Sequence, residues 1–196
     1  MSKIFLILFT LVFTENYVLV QFLGICPFLG VSRKFSSCIG MSGAVIFVMT
    51  LASAATYGVY QVMDIFHLGY LRTIIFILVI AALVQLVEIA LKKYMKPLYN
   101  ALGVYLPLIT TNCAVLAVTI LNIDEGYNFI QSCVSGFSAG VGFALALILF
   151  CGVRKSLERA KPPKAFEGLP ISLVAAAFTS MTFMGFTGMA ERMFGG

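Results

Sequence analysis

The chain has 196 residues, of which 61% are hydrophobic and only 11% are charged, and its formal net charge is +5 at pH 7. Soluble domains are about 45–50% apolar and about 25% charged, so this composition argues strongly against a globular cytosolic protein. The apolar segments leave only short loops between them, which excludes a soluble catalytic domain and a nucleotide-binding unit. We also expect no nucleic-acid partner, because no folded basic face is visible.

Six apolar segments predict an all-α membrane protein with six transmembrane helices. A helix that crosses a bilayer needs about 20 mostly apolar residues. The segments that meet this length lie near 4–24, 39–62, 70–91, 99–121, 128–152 and 169–190. The first lacks a basic leader and a small-residue cleavage site, so we interpret it as a retained helix rather than a removed signal peptide. Residues 1–196 then form a single integral membrane domain.

The basic residues predict how these helices are oriented in the lipid bilayer. Most of the 13 Lys and Arg residues follow the first, third and fifth segments, whereas Lys3, Arg72 and Arg192 lie on the opposite side. The positive-inside rule therefore places the loop between the fifth and sixth segments in the cytoplasm. Both termini are expected on the outer side of the membrane.

Three segments followed by three more suggest an internal repeat. An odd number of crossings per unit requires the second unit to be inverted, and inverted repeats with interrupted first helices are common in transporters. The first segment of each half carries a cysteine, Cys26 or Cys113, with a leucine three residues later and glycine or proline nearby. We predict two inverted three-helix repeats, about 1–93 and 94–196, in which the first helix of each is broken.

The predicted breaks lie at 24–30 and 110–113. In the first, Pro27 lacks an amide hydrogen and glycines flank it, which predicts a bend. In the second, the side chains of Thr110, Thr111 and Asn112 can bond to freed backbone groups. Lipid cannot satisfy such groups, so both breaks should face protein, ions or a site. A kink that simply packs against neighbouring helices is an equal alternative.

Cys26 and Cys113 are candidate metal ligands because each lies at a predicted break. Thiolates select iron–sulfur, zinc or cuprous centres, and common iron–sulfur clusters take four cysteines. Two thiolates at equivalent depths could be completed by two more from a similar second subunit. Zinc bound by four thiolates and a disulfide between the two cysteines are alternatives. His67, the single histidine, lies in an outer loop. The remaining cysteines are interpreted as ordinary buried helix residues: Cys38, Cys133 and Cys151.

Two further features of the segments suggest roles. Glu15 lies in the middle of the first segment, and acidic residues inside membranes are functional candidates. We consider it the candidate for an ion or proton contact, with pairing to a polar group of a partner subunit as the alternative. Gly136 and Gly140 form a Gly-xxx-Gly pair, which predicts close helix contact.

Five strings carry a resemblance to a known family. They are FLGICPFLGVS at 22–32, MTLAS at 49–53, YLRT at 70–73, LPLITTNCAVL at 106–116 and FMGF at 183–186. In these strings the chain closely resembles the family of the A-type membrane subunit of the bacterial Rnf complex. The E-type subunit of the sodium-pumping NADH:quinone reductase is similar, but less close at the Cys-Pro-Phe-Leu-Gly and Thr-Thr-Asn-Cys strings.

The resemblance implies a membrane subunit of a redox-driven ion pump in the bacterial cytoplasmic (inner) membrane. Such a pump couples electron transfer between ferredoxin and NAD to Na⁺ or H⁺ translocation, and this subunit would have no active site of its own. The family also implies other Rnf complex subunits, including a homologous E-type membrane subunit of opposite orientation. With that partner it implies a shared [2Fe–2S] cluster, two cysteines from each chain, at positions matching Cys26 and Cys113.

Other functions stay open at the level of sequence. The chain could be a component like the E-type subunit of the NADH:quinone reductase, or a small secondary transporter whose cysteines are incidental. A purely structural membrane scaffold is a third alternative. For the redox-driven pump, our hypothesis is that an electron added in a low-dielectric site favours cation entry, because Coulomb energies scale inversely with the dielectric constant.

Overall fold

The computed structural model describes residues 2–32, 35–65, 69–94, 109, 112–157, 166 and 168–194. Within these ranges every regular element is helical, as predicted. The α-helices, numbered in chain order, are α1 (Ser2–Phe9), α2 (Ile25–Val31), α3 (Phe35–Ile65), α4 (Arg72–Tyr94), α5 (Cys113–Asp124), α6 (Phe129–Leu157) and α7 (Leu169–Phe194). A π-helical turn, Thr10–Thr14, extends α1, and a 3₁₀ turn, Gly69–Leu71, precedes α4.

Three of these helices are long and apolar enough to cross a membrane by length and composition. They are α3, α6 and the Arg72–Ile89 part of α4. Three shorter apolar helices are Ile4–Thr14, α5 and the Leu169–Gly185 part of α7. Much of the predicted fourth segment, 99–121, lies outside the described residues, and α5 begins within its second half.

Helices α3 and α6 pack closely against each other at the centre of the described structure. A Cβ atom added at Gly140 would lie 2.8 Å from the Cα of Ile46, and one added at Gly136 would lie 2.8 Å from the Met49 carbonyl oxygen. Only glycine therefore lets the two backbones approach this closely. The later α3 residue faces the earlier α6 residue, so the helices are antiparallel. The predicted Gly-xxx-Gly contact is confirmed, and it lies within this chain.

Polar contacts define two opposite ends of the helix bundle. At one end, Arg72 Nη1 lies 2.7 Å from Asp124 Oδ1, which joins the start of α4 to the end of α5. At the other, Arg154 Nη1 donates to the Leu29 carbonyl oxygen (2.7 Å) and to Ser32 Oγ (2.6 Å). This joins the last turn of α2 to α6. The grouping of Arg72 with Asp124 is the one expected from the charges, while the orientation relative to a membrane stays a prediction.

The interruption of the first segment lies earlier than predicted. We expected a bend over 24–30, but α2 begins at Ile25 and the non-helical stretch runs from Glu15 to Gly24. Gly24 is the N-cap of α2 with a φ of +81°, a conformation that favours glycine. Pro27 is the third residue of α2. Amides in the first turn of a helix have no partner inside it, so proline is tolerated there.

Candidate functional site

The first interruption is organised by Asn16, whose side chain is fully buried. Its Nδ2 donates to the carbonyl oxygens of Gly142 (2.8 Å) and Val12 (3.3 Å). Its Oδ1 accepts from the amides of Val18 (3.1 Å) and Leu19 (3.4 Å). One amide side chain thus satisfies backbone groups on both sides of the interruption and ties them to α6. Our sequence analysis missed Asn16, although an amide in an apolar segment is itself a signal, since burying it unpaired is costly.

The turn that leads into this interruption is π-helical. The Glu15 amide donates to the Thr10 carbonyl oxygen at 2.7 Å, the i to i−5 pattern of a π-turn. This turn lies against α6 at Gly142, where a Cβ atom would lie 2.9 Å from the Leu11 carbonyl oxygen. The hydroxyl of Ser180 on α7 also donates to the Leu19 carbonyl oxygen. The non-helical stretch is therefore enclosed by α6 and α7 where these contacts form.

The second interruption ends at Asn112, which is the N-cap of α5. Its Oδ1 accepts from the Ala114 amide at 3.0 Å, so the predicted role of this side chain in bonding to freed backbone groups is confirmed. Thr110 and Thr111, which we expected to assist, lie outside the described residues. Cys113 is the first residue of α5.

The two interruptions are in direct contact. A Cβ atom added at Gly24 would lie 2.9 Å from Asn112 Oδ1, 3.2 Å from the Phe143 ring and 3.3 Å from the Ala114 Cβ. The N-caps of α2 and α5 therefore pack against each other beside α6. From this meeting point α2 runs towards Arg154 and α5 runs towards Asp124, so the two helices leave in opposite directions.

Cys26 and Cys113 occupy equivalent places at this meeting point. Cys26 is the second residue of α2, Cys113 is the first of α5, and both are exposed on the surface of the single chain. All five cysteines are free, so the disulfide alternative has no counterpart in the structure. Cys38 and Cys151 are buried in helices as expected, and Cys133 is half-buried.

The donor set fits one half of a four-thiolate centre. In the part of the chain that the structure describes, no three His, Cys, Asp or Glu side chains come together to hold a metal ion. Two thiols cannot complete an iron–sulfur cluster that takes four. Because Cys26 and Cys113 are exposed rather than directed into the core, a second polypeptide can reach them. A shared centre is therefore compatible with the geometry, and a centre held by the described residues alone is not.

Glu15 occupies a different environment from the one we predicted. It lies at the start of the first interruption, not within a continuous helix, and it is exposed. The pKa of Tyr127, in the loop between α5 and α6, is raised first by burial and then by the charges of Glu125 and Glu15. Glu15 therefore acts electrostatically on the loop that follows Asp124.

These features define a class: a helical, strongly apolar protein in which two cysteine-bearing interruptions meet beside a central antiparallel helix pair. The sequence pattern of the Rnf-Nqr subunit family, described as a membrane protein, matches residues 4–190. The chain belongs to this Rnf-Nqr family of membrane subunits.

Named relatives extend across almost the entire chain. One is the subunit designated A of the Na(+)-translocating ferredoxin:NAD(+) oxidoreductase complex of Acetobacterium woodii, which is 56% identical over 190 residues, covering 96% of this chain and 98% of the relative. The subunit with the same letter in the ion-translocating oxidoreductase complex of Shewanella sediminis is 54% identical over 192 residues, covering 97% and 100%. That of Syntrophotalea carbinolica is 52% identical over 190 residues, covering 96% and 98%. The family resemblance seen in the sequence is confirmed.

Proposed function

We propose that this chain is the A-type subunit of a membrane complex that couples electron transfer between ferredoxin and NAD⁺ to the translocation of Na⁺ or H⁺. The observation that carries the proposal is the 56% identity, over 96% of the chain, to a relative named for this activity. The letter shared by the named relatives favours this function over a component like the E-type subunit of the NADH:quinone reductase. The chain acts as a translocase subunit and has no active site of its own.

We propose a six-span architecture of two inverted repeats for this subunit. Two structural features support it. Helices α2 and α5 each begin at an interruption with a cysteine in the first turn and run towards opposite ends of the bundle. The helices that follow them, α3 and α6, are antiparallel to each other, which is the relation that inverted units require. Both termini lie on the outer side of the cytoplasmic (inner) membrane in this proposal, as the basic loops predict.

Cys26 and Cys113 are the proposed ligands of a [2Fe–2S] cluster shared with a homologous E-type subunit. When bound, such a cluster supplies one-electron transfer. The support from this chain is that the two thiols are free, exposed and carried by helices whose N-caps touch. The Asn16 and Asn112 side chains hold the adjoining backbone in place, so the positions of both ligands are set by the protein.

Glu15 is the proposed contact for the translocated cation or proton. Its side chain is exposed beside the first interruption, and carboxylates close to membrane interiors are expensive unless they have a function. A cation close to Glu15 would also respond to negative charge gained at the cysteine pair, because electrostatic interactions are only weakly screened in a low-dielectric environment.

The proposal is tested by replacing each thiol in the intact complex. We expect Cys26→Ser and Cys113→Ser each to remove the same electron paramagnetic resonance (EPR) signal, to lower the iron content and to abolish ferredoxin-dependent ion uptake. Cys133→Ser is the matched control, since this half-buried cysteine lies on α6 away from the interruptions. If both site variants keep the signal and normal ion-coupled electron transfer, the proposal is wrong.

A further inference from the structure

Asn112 carries a buried hydrogen-bond donor that nothing in the described protein satisfies. The residue is 4% exposed, and its Oδ1 accepts from the Ala114 amide. Its Nδ2 is buried and has no hydrogen-bond partner among the described residues. Buried amide donors are rarely left unpaired, because the lost hydration is then not replaced. An acceptor outside the described protein atoms is therefore expected at this nitrogen.

The direction of the Asn112 amide is determined by its surroundings. The Ala114 N–H is a donor, so the atom facing it has to be the oxygen, and exchanging the two amide atoms would place donor against donor. Gly24 packs on that oxygen from the other side. Because the amide group is planar, Nδ2 is held at the first turn of α5, in the residue directly before Cys113.

The other buried asparagines of the described chain differ in this respect. Asn16 Nδ2 donates to two carbonyl oxygens, and Asn122 Nδ2 donates to Ser53 Oγ and to the Ser132 carbonyl oxygen, each at 3.4 Å. Asn122 lies on α5 as well, towards the end away from Cys113. The unmatched donor is therefore specific to the place where the two interruptions meet.

We infer that Asn112 Nδ2 donates a hydrogen bond to a sulfur atom of the iron–sulfur group held at Cys113, and that this bond raises the reduction potential of the group. The inference rests on the proposed function. A hydrogen bond to sulfur stabilises the more negative, reduced form, and such bonds are among the factors that set cluster potentials. Asn112 is a positioning and tuning residue in this role, and it does not bind iron.

The first test measures the midpoint potential in the intact complex, using the EPR signal that Cys26→Ser and Cys113→Ser remove. Asn112→Asp keeps an oxygen for the Ala114 amide and loses the donor, whereas Asn112→Ala loses the donor without adding charge. We expect both variants to shift the reduction equilibrium about tenfold towards the oxidised form, about 59 mV for one electron. Asn122→Asp makes the same chemical change on the same helix and should leave the potential unchanged.

The second test detects the bond itself. Complex labelled with ¹⁵N at the asparagine side-chain amide should show one nitrogen coupled to the reduced signal in pulsed EPR. The coupling should be lost in Asn112→Asp and retained in Asn122→Asp, which a helix cap alone would not produce. Should Asn112→Ala fail to assemble, the coupling in the wild-type complex still decides the question.

The outcomes separate the inference from the proposed function. If the signal depends on both cysteines but the Asn112 variants match Asn122→Asp in potential and nitrogen coupling, the inference is wrong and the proposed function stands. If the wild-type complex has no signal that depends on the two cysteines, the proposed function fails and the inference fails with it.

Discussion

Gly24 lies directly against the side chain of Asn112, so that a Cβ atom at position 24 would be 2.9 Å from Asn112 Oδ1. Gly24 also has a φ of +81°, which residues with a side chain rarely adopt. The contact brings together residues that are far apart in sequence and joins the N-cap of α2 to that of α5. It is the point at which the two cysteine-bearing helices are fixed relative to each other.

We therefore predict that Gly24→Ala destabilises the protein. The left-handed conformation alone costs a residue with a Cβ about 1–2 kcal/mol, and the clash with Asn112 adds to this. The thermal midpoint of the purified complex should fall, and so should the iron bound per complex. Gly58→Ala is the control, because a Cβ atom there meets nothing within 4 Å. Equal losses in the two variants would contradict the predicted importance of this contact.

Asn16→Ala should be strongly destabilising because it leaves the amides of Val18 and Leu19 without their acceptor. Each buried unsatisfied group costs about 1–3 kcal/mol. Asn16→Asp keeps an acceptor for these amides but loses donation to Gly142, so it should lose a smaller or different part of the stability. Proteolysis within 15–24 and the denaturation midpoint of the complex measure the effect. Gln21→Ala, at an exposed position of the same interruption, should change neither.

Arg154 should position α2, since its guanidinium donates to the last turn of that helix at Leu29 and Ser32. Cations near a helix C-terminus are favourable, and the buried carbonyl oxygen would lose its donor in Arg154→Met. We expect a loss of about 1–3 kcal/mol in stability and weaker retention of iron. Arg154→Lys should recover only part, because lysine lacks the planar fork of donors. Lys155→Met, at the exposed neighbouring residue, serves as the control.

The loop between α5 and α6 should make stability sensitive to alkaline pH. Burial, followed by the charges of Glu125 and Glu15, raises the pKa of Tyr127 from its ordinary value of 10.0. The folded protein therefore holds the phenol proton more tightly than the unfolded chain, and this stabilisation is lost as pH rises through the raised pKa. Stability should fall above about pH 10, and less steeply in Tyr127→Phe. Identical pH profiles for the two proteins would contradict the prediction.

The sequence was sufficient to predict an all-helical chain, its family and the glycine contact between α3 and α6, because these depend on composition and local spacing. The exact place of the first break was not predictable in the same way. Pro27 breaks a helix only when it lies beyond the first turn, and α2 begins two residues before it because Gly24 caps it. That cap depends on a contact with Asn112, which lies far away in the sequence.

The candidate site shows the same division. Cys26 and Cys113 stand out from their neighbouring residues, and the structure brings the caps of their helices together. The importance of Asn16 was missed because its decisive partner is the carbonyl oxygen of Gly142, 126 positions away. Glu15 attracted attention through its charge, although it is the adjacent amide side chain that is buried and fully hydrogen-bonded.

The divergence of α2 and α5 from one shared contact gives this small bundle a lever-like construction. Its fulcrum is the glycine–asparagine junction, and its two arms end at Arg154 and at Asp124. Any shift at the junction would be transmitted to both extremities at once, which is the mechanical property an alternating gate requires.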